Sequence, residues 1–408
     1  MQRVRSSPRG KWWCVLANTG KQLRGKVAIV GCADTAVGVL PGRTPMELCV
    51  EAALSAIADA GLDKSDVDGL LTCNAMAQPY MYHAEAMAEY LQIFPRYCLS
   101  VGAGGGTTFS IVHHAASAIV TGMADVIVIA MADSLRSGLT RDQAMQVQAS
   151  TGHPQFEQPY GPTVPAYYAL IAQAHMAEFG TTPEQLAGIA VACRQHASLN
   201  PAAQMRDPIT VDDVLSSRLI ADPLHLLDCS LVSDGGSAIV LCSAERAADL
   251  RHSPVYLLGA GEGHNHEHIS AAHNLTTSAA REAGERAYAM AGLGPSDMDF
   301  AQLYDCFTPT VLVELEDLGF CAKGEGGAFV DSGALAPGGA LPVNTHGGLL
   351  SHCHPGNPGS MFALTESVWQ LRHSAGDRQV ADARCGLVHA QGGIMSSHTA
   401  LILSREAA

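Results

Sequence analysis

Two stretches of the 408-residue chain have the composition to approach a ligand closely and to hold developing negative charge. The first is Val101-Gly102-Ala103-Gly104-Gly105-Gly106-Thr107-Thr108, followed by Ala-rich apolar text at 109–121 that reads as a helix. The second runs from Gly347 to Gly359, carries His352 and His354 beside Pro355, and leads into a helix expected over 361–372. Glycine lets backbone and ligand come close, and the N–H groups at a helix N-terminus favour negative charge. A third glycine pair, Gly392-Gly393, follows His389 and precedes an apolar run. The 12 Cys are irregularly spaced without a CxxC pair, which argues against a zinc or dithiol redox motif. In a chain of this length they read as reduced thiols of a cytoplasmic protein.

The elements that must position these loops come from a duplication. Residues 56–68 read AIADAGLDKSDVD and residues 287–299 read AYAMAGLGPSDMD. Each follows a long Ala-rich, apolar-periodic stretch (46–60 and 277–291). Each therefore reads as a helix closed by Gly, a capped short turn and a strand, at Gly69–Cys73 and Phe300–Tyr304. A second echo relates Gly235-Gly236-Ser237-Ala238-Ile239-Val240-Leu241 to Gly392-Gly393 followed by His398–Leu403, both read as a glycine turn running into a buried strand. The two echoes are spaced further apart in the first half, so that half carries an insertion at about 135–225. It includes HPQFEQPYGPTVPAYY, whose Pro and aromatic content suits a lid or binding loop.

Composition bounds the rest. A chain that is 47% hydrophobic and 15% charged can bury a large core, and many Gly and Ala with few aromatics suit closely packed α/β layers. A net charge of −15 argues against nucleic-acid binding. No apolar run approaches the roughly 18–20 residues of a membrane span. Residues 1–25 hold Arg3, Arg5, Arg9, Lys11, Lys21 and Arg24 with no acid and no apolar signal-peptide core, and read as a basic, disordered leader. The body divides into halves at 26–250 and 251–408.

Taken together, GMADVIVIAMAD (122–133), QPYGPTVPAYYALIAQAHMAEFGTT (158–182), LDCSLVSDGGSAIVL (227–241), YDCFTP (304–309) and NTHGGLLSHCHPGNPG (344–359) resemble the thiolase superfamily. They look most like its sterol-carrier-protein or lipid-transfer-protein group. The resemblance implies an α/β thiolase fold, with duplicated βαβαββ halves in a five-layer αβαβα arrangement and an inserted loop domain. It also implies chemistry at a coenzyme A thioester, with no metal in this chain. His354 matches the family's Gly-His-Pro histidine, with His352 as a competing position. The family's nucleophilic cysteine would fall at Gly105, where this chain has Gly104-Gly105-Gly106. Tyr304-Asp305-Cys306-Phe307 matches the motif that carries Tyr in members resembling side-chain-cleaving aldolases. The Cys-x-Gly-Gly motif matches His389-Ala-Gln-Gly392-Gly393, so His389 replaces the second cysteine.

This pattern implies retro-aldol cleavage of a β-hydroxyacyl-CoA, with Tyr304, His354 and His389 as acid/base groups and Asp305 as a further site residue. Gly105, Gly106, Gly392 and Gly393 would supply oxyanion-binding backbone. The alternatives are CoA-dependent thiolase or Claisen chemistry through a displaced Cys353 or Cys306, and a non-catalytic subunit. The resemblance also implies a homodimer, joined by a small zinc-ribbon/OB-fold (DUF35) partner into a heterotetramer.

Overall fold

A computed structural model describes residues 22–407. Of the expected leader, residues 1–21 lie outside the described residues. Residues 22–25 form a turn tied to the body by the Gly25 N–H, which donates to the Leu257 carbonyl at 2.8 Å. The first half contains β1 (Val27–Asp34), α1 (Pro45–Asp59), β2 (Gly69–Thr72), α2 (His83–Leu91), β3 (Tyr97–Ser100), α3 (Thr107–Val120) and β4 (Val126–Ser134). Between β4 and its last strand lie α4 (Arg141–Ala149), α5 (Val164–Phe179), α6 (Pro183–Ser198) and a small hairpin of β5 (Leu219–Ala221) and β6 (Leu224–His225). The half closes with β7 (Asp234–Ser243). The second half contains β8 (Val255–His264), α7 (Ala280–Ala291), β9 (Phe300–Gln302), α8 (Thr308–Asp317), α9 (Gly359–Leu371), β10 (Cys385–Gly392) and β11 (Ser397–Ser404).

The strands run in the order β3-β2-β4-β7-β1-β8-β11-β10-β9. This order shows the duplication, because each half reads outward from the β1–β8 junction in the same succession: β1, β7, β4, β2 against β8, β11, β10, β9. The place of β3 is taken in the second half by a single bridge between Ala301 and Val343. The helices sort into layers by what they touch. α1 packs on β1, β4 and β7, and α7 packs on β8 and β11, each on the outer face of its own half. α3 and α9 both contact strands of the two halves, so they form the layer between. Their sequences suit this position: Phe109, Ile111, Val112, Ala115 and Ala116 of α3 are buried, with exposure confined to one edge at His114 and Val120, and α9 is buried along almost its whole length, Met361, Leu364 and Val368 included.

Local signals start the outer helices. Thr44 caps α1, with Glu47 completing a capping box and Pro45 in the first turn; Thr182 with Gln185 and Pro183 does the same for α6. The second echo departs from expectation in the first half, where Gly235 and Gly236 lie inside β7 rather than in a turn. A Cβ at Gly236 would lie 2.7 Å from the Ala132 Cβ and 3.2 Å from the Leu48 carbonyl oxygen, so glycine there admits β4 and α1 to the strand. Among the described residues, no helix is long and apolar enough to cross a membrane.

Candidate active site

The glycine loops of the two halves meet backbone to backbone. Gly104, Gly105, Gly392 and Gly393 all line one cavity of about 410 Å³, together with Tyr304 and His354. α3 begins at Thr107, directly behind the first loop and with Gly106 at its N-cap, so its N-terminal dipole adds to the attraction for negative charge. The remaining wall comes largely from the segment between β4 and β7 and is apolar, with Leu139, Val147, Val164 and Leu226 among its residues.

Tyr304 and His354 form a pair. The Tyr304 hydroxyl lies 3.2 Å from His354 Nε2, and the rings meet edge to face. Tyr304 is fixed just beyond the end of β9: its N–H donates to Glu314 Oε2 at 3.0 Å, and its carbonyl accepts from the Thr310 hydroxyl at 2.8 Å. His354 is fixed by Ser230, whose Oγ lies 2.8 Å from Nδ1, and by its own N–H donating to Ser233 Oγ at 2.9 Å. Burial pushes the Tyr304 phenol well above its ordinary value, with Cys306, Asp305 and Glu314 adding to the rise. Burial also pulls the His354 imidazole down to about 4. Both groups are therefore neutral near pH 7, and His354 is the one able to accept a proton.

Gly105 has no room for a side chain. A Cβ there would sit on the Tyr304 hydroxyl and lie 2.5 Å from both Tyr304 Cζ and the Gln391 carbonyl oxygen. The tyrosine hydroxyl thus occupies the space that a side chain at position 105 would need.

The other expected residues do not reach the cavity. His389 lies in a fully buried chain, with Nε2 3.1 Å from His398 Nδ1 and Nδ1 3.3 Å from Glu314 Oε2. Burial lowers its imidazole to about 3. The side chain that β10 presents to the cavity is Gln391, two residues further on. Glu314, His389 and His398 have the composition of a metal site, but Glu314 and His398 contact opposite nitrogens of the His389 ring, a chain rather than a cage. His352 is buried beside His346, Phe362 and Asn200, outside the cavity lining. Asp305 is a positioning residue: its carboxylate accepts the Leu349 and Leu350 N–H groups at 2.7 and 3.2 Å, fixing the turn at Gly348–His352 that leads to His354. Gly106 caps α3 without lining the cavity.

Three site residues were not singled out from sequence, namely Ser230, Tyr168 and Gln391. Gln391 Nε2 donates to the Tyr168 hydroxyl at 2.7 Å, and Tyr168 stacks on Phe307 with ring centres 4.4 Å apart. Ser230 and Tyr168 fall within the quoted motifs, yet their contacts join distant parts of the chain. Cys306 and Cys229 line the cavity, but burial drives both thiols up, Cys229 to about 12, so neither is a ready thiolate. Cys353 is buried outside the lining.

Comparison with known proteins identifies the family of this two-half layered fold with paired glycine loops around one cavity. The Thiolase, N-terminal domain model matches residues 27–245 and the Thiolase C-terminal domain-like model matches 261–405. The chain therefore belongs to the thiolase superfamily. It is 39% identical to a steroid side-chain-cleaving aldolase of Thermomonospora curvata, over 92% of this chain and 97% of that one. It is 33% identical to an acetyl-CoA acetyltransferase of Methanothermobacter thermautotrophicus, over 93% and 99%. A solved Ltp2-ChsH2(DUF35) aldolase superimposes with a TM-score of 0.84 at 38% identity, covering 94% of this chain and 98% of that one.

Proposed function

We propose that this enzyme is a carbon–carbon lyase that cleaves a β-hydroxyacyl-CoA by retro-aldol reaction, releasing a ketone or aldehyde and a shortened acyl-CoA. The observation that carries this reading is the filled space at Gly105, where Tyr304 stands in place of a nucleophilic side chain. His354 Nε2 takes the Tyr304 phenol proton as the phenol oxygen takes the β-hydroxyl proton. The Cα–Cβ bond breaks, the β carbon becomes a carbonyl, and the electron pair spreads from Cα onto the thioester oxygen. Backbone N–H groups of the glycine loops hold that oxygen. The proton then returns from His354 through Tyr304 to Cα. Nothing is oxidised or reduced, and no free CoA is consumed.

The apolar wall from the segment between β4 and β7 suits a bulky hydrophobic acyl group, and the aldolase relatives point to a steroid-like one. The enzyme works in the cytoplasm as a homodimer. The half-exposed edge strand β3, with Phe94 97% exposed three residues before it, supports pairing there. A zinc-ribbon/OB-fold (DUF35) partner completes a heterotetramer; the DUF35 component named in the superimposed aldolase supports the presence of such a partner.

The test is to co-express the chain with such a partner and follow products from β-hydroxyacyl-CoAs, and from β-ketoacyl-CoAs plus free CoA, by mass spectrometry. Carbonyl release from the former, lost in Tyr304→Phe, is the expected result. CoA-dependent cleavage of the latter would overturn the reading.

A further inference from the structure

The carbonyls of the glycine loops share a feature that no catalytic motif demands. Each of the five accepts a hydrogen bond from a side-chain hydroxyl. Gly104 O accepts from Thr107 Oγ1 at 2.6 Å, Gly105 O from Ser360 Oγ at 2.7 Å, and Gly106 O from Thr399 Oγ1 at 3.0 Å. Gly392 O accepts from Ser396 Oγ at 2.9 Å, and Gly393 O from the Tyr168 hydroxyl at 3.1 Å. Thr107 and Ser396 reach back three and four residues, whereas Ser360 of α9, Thr399 of β11 and Tyr168 of α5 come from more than 200 residues away, so local sequence does not explain the convergence. All five side chains are buried.

A trans peptide is planar, with its C=O and N–H on opposite sides. A hydroxyl that captures one residue's carbonyl therefore sets the direction of the next residue's N–H. Glycine peptides are the ones most able to rotate, since no Cβ restrains them. Clamping Gly104, Gly105 and Gly392 in this way fixes the N–H groups of Gly105, Gly106 and Gly393. We infer that Thr107, Ser360 and Ser396 are positioning residues that hold these peptide planes so that the N–H groups they set stay aimed at the thioester oxygen, with Thr399 and Tyr168 pinning the carbonyl at the far end of each loop. Tyr168 is itself held by Gln391, which ties the clamp on Gly393 to the strand it closes.

The inference rests on the proposed thioester chemistry, so its test includes a readout independent of turnover. Ser360→Ala, Ser396→Ala, Thr399→Val and Tyr168→Phe remove one clamp each; Tyr168→Phe keeps the ring that stacks on Phe307. Thr399→Ser keeps the hydroxyl. On a β-hydroxyacyl-CoA, each clamp loss should lower kcat about tenfold with KM nearly unchanged, a fraction of the roughly 10²–10³ lost when an oxyanion donor is deleted outright. Thr399→Ser should recover most of the rate. Affinities for butyryl-CoA and for S-butyl-CoA, a thioether lacking the carbonyl oxygen, are measured on the same variants by calorimetry. The wild type should prefer the thioester, and the clamp variants should lose that preference several-fold. Variants that melt earlier but keep both kcat and the thioester preference would overturn the inference, the hydroxyls then being structural only. A wild type that cleaves no β-hydroxyacyl-CoA would sink the proposed reaction, while the affinity ratio would still decide the clamps.

Discussion

Replacing Gly105 with alanine adds one methyl group at the point where the reading of this site is most exposed. That Cβ would stand 2.5 Å from the Gln391 carbonyl oxygen and from Tyr304 Cζ. Gln391 cannot easily retreat, because β10 is paired on one side with β11, where Gln391 faces His398, and on the other with β9. Tyr304 must therefore move. Restoring an ordinary contact of about 3.4 Å from 2.5 Å needs roughly 0.9 Å of displacement. The Tyr304–His354 pair is already 3.2 Å apart, and a hydrogen bond is lost beyond about 3.5 Å. The proton route is then broken. A misplacement near 1 Å costs on the order of 10²-fold, within the roughly 10²–10⁴ that acid–base catalysis contributes. Overpacking should lower stability by only about 1–3 kcal/mol, so the protein remains folded. Gly105→Ala should thus match Tyr304→Phe in kcat, with a modest fall in melting temperature by scanning fluorimetry. A Gly105→Ala enzyme that cleaves within threefold of wild type, and still depends on Tyr304, would refute the steric argument.

Removing the Ser230 hydroxyl frees the His354 ring to rotate; Ser230→Ala should lower kcat about tenfold with little change in KM, the size expected for partial loss of acid–base catalysis, as read by steady-state kinetics. Because His354 is pulled down to about 4, the neutral base is present above that pH and is lost only as pH falls towards it. The kcat/KM profile should therefore be flat from about pH 5.5 to 7.5, and an inflection near the ordinary histidine value of about 6.5 would contradict the burial argument. Brief iodoacetamide treatment at pH 7 should leave activity intact, since the cavity thiols of Cys306 and Cys229 are held protonated; rapid inactivation matched by labelling of either would point to a cysteine nucleophile.

Much of the scaffold was legible because its signals are local. The Ala60-Gly61 and Ala291-Gly292 helix ends, with the acid-capped turns after them, announce the duplication, and α1, α3, α7 and α9 lie within about three residues of their expected bounds. The site was legible by position more than by contact. The family resemblance puts Gly105 at the nucleophile's place on the loop, but that a tyrosine 199 positions later fills its side-chain space is a tertiary fact. The reading of His389 went astray for a similar reason. His389 and Gln391 share a face of β10, and only the depth of packing shows that Gln391 meets the cavity while His389 stays beneath it with Glu314. In the same way the Gly235-Gly236 pair looks like a turn, until the approach of α1 and β4 explains why a strand interior needs glycine there.

The central claim is that bond cleavage proceeds through an enolate without an acyl-enzyme. The most direct measurement is single-turnover cleavage of a β-hydroxyacyl-CoA in D₂O without free CoA, with the released acyl-CoA analysed by mass spectrometry. The account predicts one deuterium at Cα, delivered by the Tyr304–His354 pair. Acyl-CoA that forms only when free CoA is added, with a transient acyl adduct on the protein, would contradict it.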